Sequence, residues 1–269
     1  MFQKKVNITR IHKGERKEEL DTVLIESSVD IFVNSNPLVN IICLNKDLKE
    51  LALGFLFSIG IIDGMDDVSI IKVDSVEGKV YVELMETSEI DLETMEIAPV
   101  SRVIDTTCGI PSPWRKLIKE KLIKTEGILE FDSELVVNSE LIFTAIIEMQ
   151  KNTPLFKETG GCHGAAIFDF RGILIAVKED VGRHNAIDKV IGSLILNRHS
   201  FENKILTSTG RLTGDTVLKA VRAKIPIISS LSAAVDSGIE LAESFGQTLI
   251  GFVRGKKMNI YTHPKRVKS

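Results

Sequence analysis

Two rhythms of apolar residues alternate along the chain. Between Thr22 and Met85 they come mostly as short runs: Thr22-Val23-Leu24-Ile25, Asp30 to Val33, Leu38 to Leu44, Ser69 to Val73 and Lys79 to Met85. Runs of this length bounded by turn residues predict strands. Asn34-Ser35-Asn36-Pro37 and Glu77-Gly78 are turn sequences, so the four later runs should form two hairpins. Leu48, Leu51, Ala52, Phe55, Leu56 and Ile59 instead recur at the helical period, which predicts a helix from about Lys46 to Ser58.

Val100 to about Asn138 follows neither rhythm clearly. It holds Thr106-Thr107-Cys108-Gly109-Ile110-Pro111-Ser112-Pro113-Trp114-Arg115, in which Ser112 suits a helix cap and Pro113 the first helical residue. A helix from Ser139 to Gln150 carries Leu141, Ile142, Ala145, Ile146 and Met149 on one side and should break at Asn152-Thr153-Pro154.

From Thr159 the alternation becomes regular. Ala165 to Phe168 and Ile173 to Val177 should pair across Arg171-Gly172, followed by a helix from Ala186 to Leu196. Next come strand Lys204 to Ser208, helix Thr213 to Ala223, strand Ile225 to Ser229, helix Val235 to Phe245 and strand Thr248 to Val253. Strands alternating with helices of this length build a helix-flanked mixed or parallel sheet. The expected fold class is α/β. A smaller mixed α+β part, 1–138, carries the loop around Cys108, and a mixed-sheet α/β domain occupies 139–269.

The densest polar chemistry is at Lys178-Glu179-Asp180-Val181-Gly182-Arg183-His184-Asn185-Ala186-Ile187-Asp188, between an apolar strand and an apolar helix. As local structure this is a helix start, with Asn185 as cap and Asp188 near the positive end of the dipole. As chemistry it lies where open α/β sheets bind ligands, in the crevice at the carboxyl ends of the strands.

Composition narrows the function. The 269 residues are 43% hydrophobic and 26% charged, ordinary for a globular chain, and the net charge of −3 gives no overall attraction to nucleic acid or anionic membrane. The most apolar stretch, Leu51 to Ile62, is broken by Gly54, Ser58 and Gly60 and is too short for a span. Met1-Phe2-Gln3-Lys4-Lys5 has no signal-peptide core, so a cytoplasmic protein without nucleic-acid or membrane partners is expected. Three cysteines, Cys43, Cys108 and Cys162, do not make a disulfide framework; any that matters should act as a thiolate.

Four segments carry candidate chemistry. Cys108 precedes a helix start, with Arg115 and Lys116 near in sequence, a setting that favours thiolate. Cys43, in an apolar strand, reads as a small buried hydrophobe. Cys162-His163, among glycines, could ligate zinc with Cys108 and His184, although no Cys-x-x-Cys or His-x-Glu pair supports it; the other reading gives His163 a hydrogen bond near a ligand held by backbone amides. Ser208-Thr209-Gly210-Arg211-Leu212-Thr213-Gly214-Asp215 could present amides and Arg211 to an anion. Arg254-Gly255-Lys256-Lys257, at a strand end, suits phosphate or is simply a solvated basic hairpin. These segments should converge on one crevice.

Thr159-Gly160-Gly161-Cys162-His163-Gly164-Ala165-Ala166, Glu179 to Lys189, Tyr261-Thr262-His263-Pro264 and Asp47 to Phe55 resemble the FdhD family, the formate dehydrogenase accessory sulfurtransferases, along nearly the whole chain. The resemblance implies a homodimeric sulfur carrier whose carboxy-terminal domain is similar to the cytidine deaminase fold without its zinc. Such a protein accepts sulfur from a cysteine desulfurase as a persulfide and passes it to the molybdenum (or tungsten) bis(molybdopterin guanine dinucleotide) cofactor destined for formate dehydrogenase. Cys108 matches the first cysteine of the family's Cys-Gly-x-Cys loop. Val253, Arg254, Gly255, Lys256, Lys257 and Met258 match its cofactor-binding stretch, with Arg183, His184, Arg211 and His163 expected to shape the crevice. The chain departs from the pattern at Pro111, which replaces the second cysteine. One thiolate suffices to carry a persulfide, and Cys162 could substitute as an internal resolving thiol if it lies near Cys108. Rival readings are a cofactor-binding chaperone without covalent chemistry and a zinc hydrolase.

Overall fold

The computed structural model describes residues 2–85, 103–104, 120 and 135–269. Two sheets with their covering helices organise them, in agreement with the α/β expectation. An exposed amino-terminal ribbon pairs β1 (Gln3–His12) with β2 (Glu15–Leu24). Only the end of this ribbon was legible beforehand, because β2 is mostly charged and β1, with Val6 and Ile8 alternating among polar residues, is largely exposed.

The first sheet contains β3 (Ser27–Val33), β4 (Asn36–Cys43), β5 (Val68–Asp74), β6 (Lys79–Leu84) and β7 (Val103–Ile104), in spatial order β5-β6-β3-β4-β7. Both expected hairpins are present, and β7 adds in parallel to β4 through Asn40↔Val103 and Ile41↔Ile104. Helix α1 (Leu48–Ser58) follows β4 and is buried at almost every position, from Leu51 to Ser58 without a break. A helix apolar on all sides must be covered on all sides. One side of α1 meets β5 and β6; another lies against helix α4 (Arg183–Leu196).

The second sheet runs β10-β9-β11-β12-β13-β14, comprising β9 (His163–Asp169), β10 (Leu174–Asp180), β11 (Lys204–Ser208), β12 (Ile227–Ser230), β13 (Thr248–Arg254) and β14 (Lys257–Thr262). Its centre, β11-β12-β13, is parallel, joined by helices α5 (Gly214–Arg222) and α6 (Asp236–Ser244). The period-two alternation of strands divides its side chains cleanly. Ala166, Phe168, Ile205, Ile227 and Ile250 pack with Ile142, Ala145, Ile146 and Met149 of helix α2 (Ser139–Lys151). Ala165, Ile167, Leu206, Ile228 and Leu249 belong to the larger core, which also contains α1, α4 and the first sheet. Two short strands, β8 (Val137–Asn138) and β15 (Val267–Lys268), tie the carboxyl end to the start of α2.

Asn152-Thr153-Pro154 does not only break a helix. Pro154 starts a further short helix, α3 (Pro154–Thr159), as proline at the first helical position can. Arg254 to Lys257 form the β13–β14 hairpin turn, with Gly255 in the left-handed region at φ 57°.

α1 and α4 cross at glycines. A Cβ on Gly54 would lie 1.8 Å from the Asp188 carbonyl oxygen, and one on Gly192 would lie 1.8 Å from that of Glu50. Only hydrogen fits between these backbones, so this approach needs glycine on both helices.

Candidate functional site

The strand β10–helix α4 junction turns inward. Asn185 does not cap the helix, which begins at Arg183 after Gly182. The Asn185 side-chain amide donates instead to the Ile42 carbonyl at 2.9 Å and to Asp180 Oδ1 at 3.0 Å. Asp180 also accepts from the backbone amides of Leu44 at 3.0 Å and Gly182 at 2.9 Å, and pairs with Lys189 Nζ at 2.6 Å, both side chains being fully buried. Lys189 donates in turn to the Leu44 carbonyl at 3.1 Å. Asp188 is likewise a buried partner: it accepts from Ser58 at 2.8 Å and pairs with Lys219 of α5 at 2.6 Å. Burying a charge is costly unless it is paired and fully hydrogen-bonded, and these groups meet that condition.

Glu179 caps another element. Its carboxylate accepts from the amides of Phe156 at 2.7 Å and Leu155 at 3.3 Å, satisfying the start of α3. Burial raises its pKa against the opposing pull of those two amides. Cys162 Sγ lies 3.9 Å from Glu179, within an apolar cluster that includes Leu44 and Leu155. Burial and then the Glu179 charge push the Cys162 thiol up to about 12. The Cys43 thiol, fully buried, is also pushed up to about 12, by burial and then by Asp180. Cys43 therefore behaves as the small hydrophobe expected. Cys162 is therefore held as a thiol in this fold, and its distance from the Cys108 loop falls outside the described residues. Cys108 and Pro111 lie outside the described residues.

Polar groups gather at the carboxyl ends of the parallel strands, as the crevice rule requires. Thr209, Leu231, Ser232, Val253, Arg254 and Gly255 line a cleft of about 430 Å³ there; its other wall comes from α2 and α3 and includes Phe143, Gln150 and Phe156. Arg254 is braced over it by a bond from Nε to the Leu231 carbonyl at 3.2 Å. Thr209 Oγ1 lies 3.1 Å from His163 Nδ1 and accepts from the Gly164 amide at 3.1 Å. Gly210 is packed so close to Arg183 that a Cβ there would meet that side chain at 2.8 Å. Burial and then Arg183 lower the His163 pKa, with Arg211 adding to them and the Asp180 carboxylate opposing.

Of the segments expected to converge, Thr209 and Val253 to Gly255 line this cleft, His163 and Arg183 adjoin it through Thr209 and Gly210, and the Cys108 segment lies outside the described residues. Of the residues expected to bind cofactor, Val253 is buried, while Arg211, Arg254, Lys256 and Lys257 are exposed and Met258 half-buried. His184 is only 3% exposed and sits in the core rather than at the cleft. Among the described residues no three His, Cys, Asp or Glu side chains form a set that could hold a metal ion. The cleft's second wall escaped sequence reading because Phe143 and Phe156 look like ordinary core residues; Thr153-Pro154 was the available clue to α3.

Residues 24–268 match the FdhD/NarQ family. The chain belongs to that family. Over 265 residues it is 38% identical to a relative named sulfur carrier protein FdhD from Sulfolobus acidocaldarius, covering 98% of both chains. A Bacillus subtilis relative of the same name is 31% identical over 97% of this chain and 96% of its own. A crystal structure of a candidate formate dehydrogenase accessory protein from Desulfotalea psychrophila is 30% identical, with a TM-score of 0.75 over the whole of both chains. An FdhD/NarQ assignment agrees with the sequence resemblance. It gives no role to the buried charges, which the geometry itself must explain.

Proposed function

We propose that the chain is a sulfur carrier that serves formate dehydrogenase. The name shared by its relatives supports the carrier role, and the accessory-protein description of its structural neighbour supports the client. In this reading Cys108 is the sulfur-bearing residue. Its thiolate attacks the outer sulfur of a persulfide on a cysteine desulfurase; a new S–S bond forms at Cys108 and the desulfurase thiolate leaves. The sulfur then passes to the molybdenum bis(molybdopterin guanine dinucleotide) cofactor, which is substrate here. No catalytic metal of the protein's own is required.

The observation that carries the cofactor half of the proposal is the cleft. It places Arg254 and Gly255 with Thr209 and Ser232 at the carboxyl ends of three parallel strands, and behind Thr209 stand His163, which bonds it, and Arg183, which packs on Gly210. Cations and exposed turn amides recognise phosphate oxygens, and a half-apolar wall accepts a planar ring system. Lys256 and Lys257, exposed on the same hairpin, add charge for a multiply phosphorylated ligand. We take the protein to act as a cytoplasmic homodimer; among the described residues no helix is long and apolar enough to cross a membrane.

Replacement of two groups of residues separates covalent transfer from chaperoning. In cells lacking the native copy, Cys108→Ala should abolish formate dehydrogenase activity, and Arg254→Glu with Lys256→Glu should do so by loss of cofactor binding. Full activity of Cys108→Ala alongside loss in the charge-reversal variant would establish the non-covalent chaperone instead.

A further inference from the structure

The chain segment that leads to Cys108 is held by a clamp for which sulfur chemistry gives no reason. Among the described residues β7 pairs with β4 at Asn40 and Ile41, and the chain from Ile104 to Cys108 is four residues, a reach of at most about 14 Å. The end of β4 and the residue just beyond it are gripped from the second sheet's β10–α4 junction. Asn185 bonds the Ile42 carbonyl, Asp180 the Leu44 amide, and Lys189 the Leu44 carbonyl. Three side chains, one at the end of β10 and two in the first turns of α4, therefore hold one backbone group on β4 and two on Leu44 just beyond it, across more than 130 residues of sequence.

The same junction reaches the cleft. Three residues after Asp180, Arg183 packs on Gly210 next to Thr209, which lines the cleft and bonds His163. One rigid turn thus touches both the strand that carries β7 and the rim of the proposed cofactor site. Apolar packing could have covered the end of β4 at lower desolvation cost than a fully buried Asp180–Lys189 pair. What directional bonds add is a fixed position, since each holds a backbone group to within a few tenths of an ångström.

We propose that Asn185, with Asp180 and Lys189, is a positioning residue for sulfur delivery: it fixes the β4–β7 segment relative to the cofactor cleft. The inference rests on the sulfur-carrier reading. Loading of Cys108 by a desulfurase takes place with a partner that approaches from outside and does not require this registration. Delivery does require it.

The test uses the full-length protein expressed in cells lacking the native copy, with Asn185→Ala and the donor-retaining Asn185→Ser. Persulfide on Cys108 of the purified protein reports loading, and formate dehydrogenase activity of the same cells reports delivery. In Asn185→Ala, which removes the bonds to Ile42 and Asp180, loading should stay within about twofold of wild type while delivery falls about tenfold or more, tenfold being about 1.4 kcal/mol. Asn185→Ser should recover part of the delivery, and the amides of Val103 and Ile104 should exchange with solvent faster in the alanine variant than in wild type. Unchanged delivery overturns the proposal. So does a parallel fall in loading, delivery and thermal midpoint, which would mark Asn185 as purely structural. If even Asn185→Ser does not fold, Asn185 is structural and the proposal fails. Absence of persulfide on the wild-type protein would instead remove the sulfur-carrier reading, and this inference with it.

Discussion

Gly54→Ala should loosen the joint between α1 and α4. The added methyl would sit 1.8 Å from the Asp188 carbonyl oxygen and 2.9 Å from its Cα, about 1.6 Å short of ordinary contact with a backbone oxygen that cannot rotate away. The helices must separate, and the facing Gly192 contact with Glu50 opens with them. One extra methylene in a packed core typically costs about 1–3 kcal/mol, and backbone obstacles on both helices place this site at the upper end. Alanine recovers about 0.8–1 kcal/mol of helix propensity over glycine, leaving a net loss of roughly 2 kcal/mol or more. For a chain of this size that lowers the thermal midpoint by about 4–8 °C. Gly64→Ala, where no atom lies within 4 Å of the new methyl, is the control and should change stability by less than about 0.5 kcal/mol. Calorimetry of the three proteins decides the matter. A Gly54→Ala protein as stable as wild type would show that α1 and α4 do not approach as closely as described.

Lys219→Met should destabilise by about 3–5 kcal/mol by leaving Asp188 buried without its cation, whereas Lys219→Met combined with Asp188→Leu should recover most of that in urea unfolding. Cys43 and Cys162, both pushed up to about 12, should resist iodoacetamide in the native protein at about pH 8 and react once it is denatured; peptide mapping reads both states. His163 has a lowered folded pKa, so below its ordinary 6.5 the unfolded chain takes up a proton that the folded one resists. Its contribution to stability is therefore present above that pH and lost as the pH falls below it. The difference in urea midpoint between about pH 7.5 and about pH 5.5 should shrink in His163→Gln.

Much of this was legible in the sequence because period and burial coincide. Ala165 to Phe168 alternates between two covered faces, and the α1 heptapeptide Leu51 to Phe57 is apolar throughout because it is covered throughout. β1 and all but the end of β2 were missed for the opposite reason: a largely solvated ribbon stabilised by its own ladder gives little apolar signature. At the site, Arg254 and Thr209 could be placed on strand ends from topology alone. The roles of Asn185 and Asp188 could not. Local chemistry reads them as helix-start residues, and only the long-range packing of α4 against β4, α1 and α5 turns them inward to Ile42, Ser58 and Lys219.

The central claim is that Cys108 carries sulfur. Incubation of the purified protein with a cysteine desulfurase and cysteine, followed by intact-mass and peptide mass spectrometry without reductant, tests it directly. The account predicts one added sulfur atom on the peptide containing Cys108, none on those containing Cys43 or Cys162, and none anywhere in Cys108→Ala. Sulfur on Cys162, or an unmodified Cys108 in a protein that still restores formate dehydrogenase, would contradict it.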